Sequence, residues 1–113
     1  MKKSSSALLA RPYERLRRTL AAVGYISQGS VLDRSTLRPP RHGYQWTRKV
    51  AGKTITLALN REQFEALGQA IQNHRQLRQT IGKMETLSRR VLFGKLPDTR
   101  RRKPLNKKVL GVI

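Results

Sequence analysis

Gln45, Thr47 and Lys49 alternate along one short run, and Thr54 and Thr56 along a second, on either side of Ala51-Gly52. A period of two puts these side chains on one face of paired strands. Amide, hydroxyl and ammonium groups on such a face suit the donors and acceptors that base edges display in a nucleic-acid groove. Cations able to hold phosphates surround them: Arg34, Arg38 and Arg41 before the first run, and Arg48 and Lys53 within the hairpin. Arg100, Arg101, Arg102, Lys103, Lys107 and Lys108 form a further group near the end of the chain. The bland alternative is a solvated outer face, as on most antiparallel sheets.

Little else supports chemistry. There is no Cys, hence no disulfide framework, thiolate metal site or cysteine nucleophile. His42 and His74 are too few for a metal cluster, and His74 falls on an apolar helical stripe where a packed histidine is the simpler reading. Glu62, Glu65 and Glu85 fall along one helical segment, the first two placed to favour its positive N-terminal end. No Ser/His/Asp constellation or phosphate-cradling glycine loop is present, and Tyr13, Tyr25 and Tyr44 each read as core aromatics. The expectation is a protein without enzymatic activity, cofactor or metal.

The charge points the same way. Of 113 residues, 25 are Lys or Arg and 6 are Asp or Glu, a net charge of +19. Every quarter of the chain is basic, so the folded part carries the excess as well as the ends. Self-repulsion on this scale opposes a compact state and makes a polyanion the natural partner. The first residues imitate a signal peptide until Arg11, Pro12, Tyr13 and Glu14 end the apolar run, so 1–11 reads as a basic arm. No window is apolar enough to span a membrane.

The elements that position these residues follow from periodicity. Leu9, Tyr13, Leu16, Leu20 and Val23 make one helical stripe whose firm part runs from about Pro12 to Val23, with Gly24 at its end. Tyr25 to Leu32 reads as a strand, with Gly29 marking a bulge or a close backbone approach. Asp33 to Gly43 is loop. Tyr44 to Leu59 is a hairpin turning at Ala51-Gly52, which pairs Trp46 with Leu57 and Arg48 with Ile55. Its apolar face is Tyr44, Trp46, Ile55, Leu57 and Leu59, with Arg48 snorkelling outward at the turn end.

Asn60 and Gln63 form a capping box, and Leu59 and Phe64 a hydrophobic staple, at the start of a helix reaching to Val91. That helix is too long for a small sheet to cover. Its distal stripe, Leu77, Ile81, Met84, Leu87 and Val91, therefore needs either the first helix lying antiparallel or a protein partner, a second copy included, packing as a coiled coil. Residues 94–113 read as a basic tail that orders on a polyanion, although its apolar end, Val109 to Ile113, is unusual for a free tail. The fold class is α+β: an N-terminal helix, a three-stranded antiparallel sheet, a long C-terminal helix and a basic tail, with 12–93 as the body.

Gly24-Tyr-Ile-Ser-Gln-Gly-Ser30, Tyr44-Gln-Trp-Thr-Arg-Lys-Val-Ala-Gly-Lys-Thr54 and Asn73-His-Arg-Gln-Leu77 together resemble a family of small basic bacterial proteins of unassigned function. Members of that family are often encoded beside transposases or in other mobile elements. The resemblance spans about Gly24 to Leu92. It implies a Cys-rich, knuckle-like stretch between the first two motifs; Asp33 to Gly43 is short and has no Cys, so no zinc site carries over. The hairpin is also similar in architecture to the three-stranded DNA-binding domains of some tyrosine recombinases, an analogy of fold alone.

The expected function is a nucleic-acid-binding accessory protein of a mobile element or phage, cytoplasmic and nucleoid- or nucleoprotein-associated. Double-stranded DNA is preferred over RNA. The alternatives are an RNA-binding component of a ribonucleoprotein and a protein–protein adaptor.

Overall fold

A computed structural model describes residues 5–95 and 106–113. Its elements run α1 (Ser5–Ala21), β1 (Ser30–Asp33), a 3-10 turn (Arg34–Thr36), β2 (Tyr44–Val50), β3 (Lys53–Leu59), α2 (Arg61–Lys95) and a short α3 (Lys107–Leu110). The strands form one antiparallel sheet in the order β1-β2-β3, so the architecture is α+β. The chain divides into two compact units, one of Val23–Leu77 and one of Met1–Ala22 with Arg78–Ile113.

In the sheet unit the hairpin has the register the turn demands: Tyr44 pairs with Leu59, Trp46 with Leu57, Thr47 with Thr56 and Val50 with Lys53. Both turn residues have positive φ, 49° at Ala51 and 80° at Gly52. Two positive φ values define the tight turn whose twist matches the strands, and Ala51 holds its value against steric resistance of about 1 kcal/mol. At the start of α2 the Asn60 amide donates to Gln63 Oε1 (2.9 Å) and the Gln63 amide to Asn60 Oδ1 (2.8 Å), a closed capping box. The Phe64 ring stacks on Tyr44 with centroids 4.4 Å apart. α2 packs on β1 at Gly68, where a Cβ would make an ordinary contact with Val31 Cγ2 at 3.6 Å. Ala70 and Ile71 are the buried apolar residues of this unit.

Two expectations are corrected. β1 covers Ser30–Asp33 alone, because Gly29 at φ 103° turns the chain out of the ladder. Tyr25 to Gln28 is instead anchored to α2, through Ser27 N–H to the Ala70 carbonyl (3.1 Å) and Asn73 Nδ2 to the Tyr25 carbonyl (2.9 Å). Tyr25 is not a core aromatic; it is 93% exposed. The apolar hairpin face is closed at its Tyr44–Leu59 end and open towards the turn, where Leu57 is 53% and Ile55 42% exposed.

In the helical unit α1 begins at Ser5 and carries Pro12 inside it, so residues 5–11, read as arm, are helical. Its stripe, Leu9, Tyr13, Leu16 and Leu20, is the partly buried side of the helix. These residues line clefts jointly with the distal half of α2: Leu9 with Val91, Tyr13 and Leu20 with Ile81 and Met84, Leu16 with Leu87. These clefts have the arrangement of the intrachain covering foreseen for the distal stripe, α1 offering apolar residues at matching intervals in the opposite direction, while Ile81 stays 37% exposed. Leu77, the first residue of that stripe, is partly buried within the sheet unit.

Of the expected basic tail, residues 106–113 form a capped helical turn, and 96–105 lie outside the described residues. Asn106 Oδ1 caps the Val109 amide (2.8 Å), and Gly111 closes α3 in the left-handed region. Arg89 Nε donates to the Gly111 carbonyl and Arg90 Nε to the Val112 carbonyl, both at 2.6 Å. Arg100, Arg101, Arg102 and Lys103, expected to hold phosphates, lie outside the described residues.

Candidate nucleic-acid interface

The strand register separates the hairpin side chains into two faces. Gln45, Thr47, Lys49, Thr54, Thr56 and Ala58 share the face opposite Trp46. Thr47 and Thr56 stand directly across from each other with their hydroxyl oxygens 3.5 Å apart, and Lys49 pairs with Thr54. Lys49, Thr54 and Thr56 are exposed and Thr47 is partly so. No carboxylate shares this face. Its amide is already engaged, because Arg34 Nε donates to Gln45 Oε1 at 3.2 Å. That bond ties Gln45 to Arg34 at the sheet's end and leaves its Nε2 donors to the face.

Arg48 and Lys53 belong to the other face, with Trp46 and Ile55. The Arg48 guanidinium carbon lies 5.0 Å from the centroid of the Trp46 ring, a cation–π contact. Arg48 is therefore held against the indole and is not a second cation beside Lys49. Trp46 is itself fixed from the far edge: its Nε1–H donates to the Gln28 carbonyl at 2.9 Å, and Gly29 passes so close that any Cβ would collide with the indole.

The loop between β1 and β2 is closed by backbone bonds at Arg34, whose N–H meets the Gly43 carbonyl (3.0 Å) and whose carbonyl accepts from Arg41 (3.0 Å). Arg38 and Arg41 are exposed on it, and the Arg38–Pro39 peptide is cis. Asp33 starts the 3-10 turn: its carboxylate accepts the Ser35 amide at 2.9 Å. Hydrogen bonds from Ser35 hold its pKa below the usual carboxylate value. A lowered carboxyl pKa adds stability above the unfolded value, and that contribution is lost as pH falls through the folded one. The expected outcome is that Asp33→Asn has a lower thermal midpoint than the parent at neutral pH, the gap closing below about pH 4; melts across pH 3 to 7 check this.

In the helical unit Lys107 and Lys108 are exposed on α3. Of the chain's 25 Lys and Arg, 17 belong to this unit, with 3 of its 6 acidic residues. Sequence reasoning missed the paired roles of Gln28 and Asn73, the clamp from Arg89 and Arg90, and the share of charge carried by helices. Asn73 stands in one of the motifs behind the resemblance, which was the available signal. Among the described residues no group of three or more His, Cys, Asp or Glu could hold a metal ion, and no helix is long and apolar enough to cross a membrane. Set against protein-family profiles, curated proteins and solved structures, the chain matches none of them.

Proposed function

We propose that this protein is a non-enzymatic accessory factor that binds double-stranded DNA through the Thr47/Thr56 face of its hairpin, with basic segments adding phosphate contacts. The observation that carries the reading is that face: two opposed hydroxyls, a free ammonium, no carboxylate and no covering element within the sheet unit. A two-stranded ribbon has the width to enter the major groove, about 12 Å across. Exposed Arg38 and Arg41 extend the positive surface from the same sheet towards flanking phosphates. The setting in a mobile element or phage, in the cytoplasm and on the nucleoid, rests on the family resemblance.

The test is a pair of substitutions read on duplex DNA across a salt series. Lys49→Ala is expected to lower the slope of log K against log salt by about 0.9, as for one lost phosphate contact. Thr56→Ala should leave the slope and reduce discrimination between sequences by about 1 kcal/mol. Both keep thermal stability within about 0.5 kcal/mol, being surface changes. Unchanged affinity and selectivity in both variants overturns the assignment of this face. Retention by structured RNA over equal-length duplex in matched salt would move the protein to a ribonucleoprotein, and absence of any nucleic-acid affinity at about 50 mM salt would leave an adaptor.

A further inference from the structure

Within the helical unit, α1 and the distal half of α2 leave a cleft of about 480 Å³ between them. Its charged lining is Arg15 from one helix and Lys83 and Arg90 from the other, with no carboxylate. Packed helices ordinarily set opposite charges across their seam, since like charges there repel. Here cation faces cation. The nearby acids are committed elsewhere: Glu14 pairs with Arg17 at 3.3 Å and Glu85 with Arg89 at 3.6 Å.

The other lining groups narrow what can enter. Pro12, Leu16 and Leu87 supply an apolar floor that does not compete for an anion. The two hydroxyls present are occupied as donors, Thr19 Oγ1 to the Arg15 carbonyl and Thr86 Oγ1 to the Gly82 carbonyl, both at 3.1 Å. Recognition therefore falls to the cations. Arg90 is held in place because its Nε–H is bonded to the Val112 carbonyl. On α1, Arg11, Arg15 and Arg18 recur at intervals of four and three, one face of the helix, and all are exposed. Lys83 and Arg90, seven apart, likewise share a face of α2. Of the α1 arginines Arg15 alone lines this groove, facing the Lys83–Arg90 row of α2; three cations spread along it suit an extended chain of anions better than a single small ion.

We infer that this cleft is a second nucleic-acid site, in which Arg15, Lys83 and Arg90 hold the phosphodiester backbone. The inference rests on the nucleic-acid reading above and deepens it: the hairpin face reads the groove, and the helical cleft grips the strand without regard to sequence. Phosphates between these cations replace cation–cation repulsion by attraction, so the ligand relieves a strain the free protein carries.

The experiment measures the affinity of the full chain for a short mixed-sequence DNA duplex over about 50 to 200 mM salt. Four proteins are compared: the parent, Arg15→Gln/Lys83→Gln in the cleft, Arg41→Gln/Lys49→Gln at the hairpin interface, and Arg17→Gln/Arg61→Gln. The last pair removes the same charge from residues engaged by Glu14 and Glu65. The cleft variant is expected to lower the salt slope by about 1.8 and to shrink the affinity lost over that salt range by about tenfold, well beyond the Arg17/Arg61 variant. Its own melting temperature without DNA should equal or exceed the parent's, because repulsion has been removed. A cleft variant no different from the Arg17/Arg61 variant, or one that melts lower than the parent, overturns the inference. If the hairpin variant alone loses affinity, the cleft assignment fails while the hairpin reading stands. If the cleft variant alone loses it, the reverse holds. A parent that does not bind duplex at about 50 mM salt ends both.

Discussion

Gly29→Ala is expected to lower the stability of the sheet unit by about 3 kcal/mol, the sum of a positive-φ penalty and of overpacking. Gly29 has φ 103°, and a Cβ there would lie 2.6 Å from the Thr47 carbonyl oxygen and closer still to Trp46 Nε1. One of these obstacles is backbone and the other a ring pinned by its own hydrogen bond, so neither can give way cheaply. Gly52→Ala separates the two contributions. Gly52 has φ 80° with nothing within 4 Å of the added atom, so its loss should be backbone strain alone, about 1 kcal/mol. Denaturant melts followed by the fluorescence of Trp46, the single tryptophan, give both numbers. Equal losses would show that the close approach to the indole carries no energy.

Trp46→Ala is the second large effect, again about 3 kcal/mol, because the ring is among the largest apolar surfaces of its unit and donates a hydrogen bond. The indole joins three parts: β2 on which it stands, the Gln28–Gly29 backbone that accepts its N–H, and the Arg48 guanidinium over its face. Trp46→Phe keeps the ring and removes the donor, leaving the Gln28 carbonyl without its partner, and should lose about 1 kcal/mol. Far-UV circular dichroism against denaturant reads the series. A Trp46→Ala protein that melts like the parent yet no longer binds DNA would make Trp46 a stacking residue and reverse the roles of the two hairpin faces.

The parts of this structure that were legible in the sequence are those set by short-range rules. Ala51-Gly52 fixes the turn, and the turn fixes every pair from Val50–Lys53 to Tyr44–Leu59. Asn60 and Gln63 satisfy one another across three residues, which a pattern can display. Alternation also sorted the faces, yet it could not tell how far α2 reaches over them, so the exposure of Ile55 and Leu57 on the apolar face was not legible. Arg34 and Gln45 are eleven residues apart, and Arg89 finds a backbone carbonyl twenty-two residues on. Those pairings depend on where loops and chain ends come to rest, about which hydrophobic periodicity is silent. Pro12 was read as a helix start because proline favours the first turn, whereas the helix runs through it. The cleft cations were visible as residues but not as a group, since Arg15 and Lys83 meet only once α1 has folded back.

β3 has a further consequence as the last strand in the order β1-β2-β3. Between Lys53 and Arg61 it runs Thr-Ile-Thr-Leu-Ala-Leu-Asn without a charge or a proline, which is the composition of a strand that templates others at an unprotected edge. Mutual repulsion at +19 opposes the approach of two such edges in free solution. A polyanion that cancels this charge also cancels the colloidal protection, so crowding along a saturated strand brings open edges together. Under the proposed DNA binding, the ratio of protein to nucleic acid is expected to set whether the complex stays dispersed or condenses.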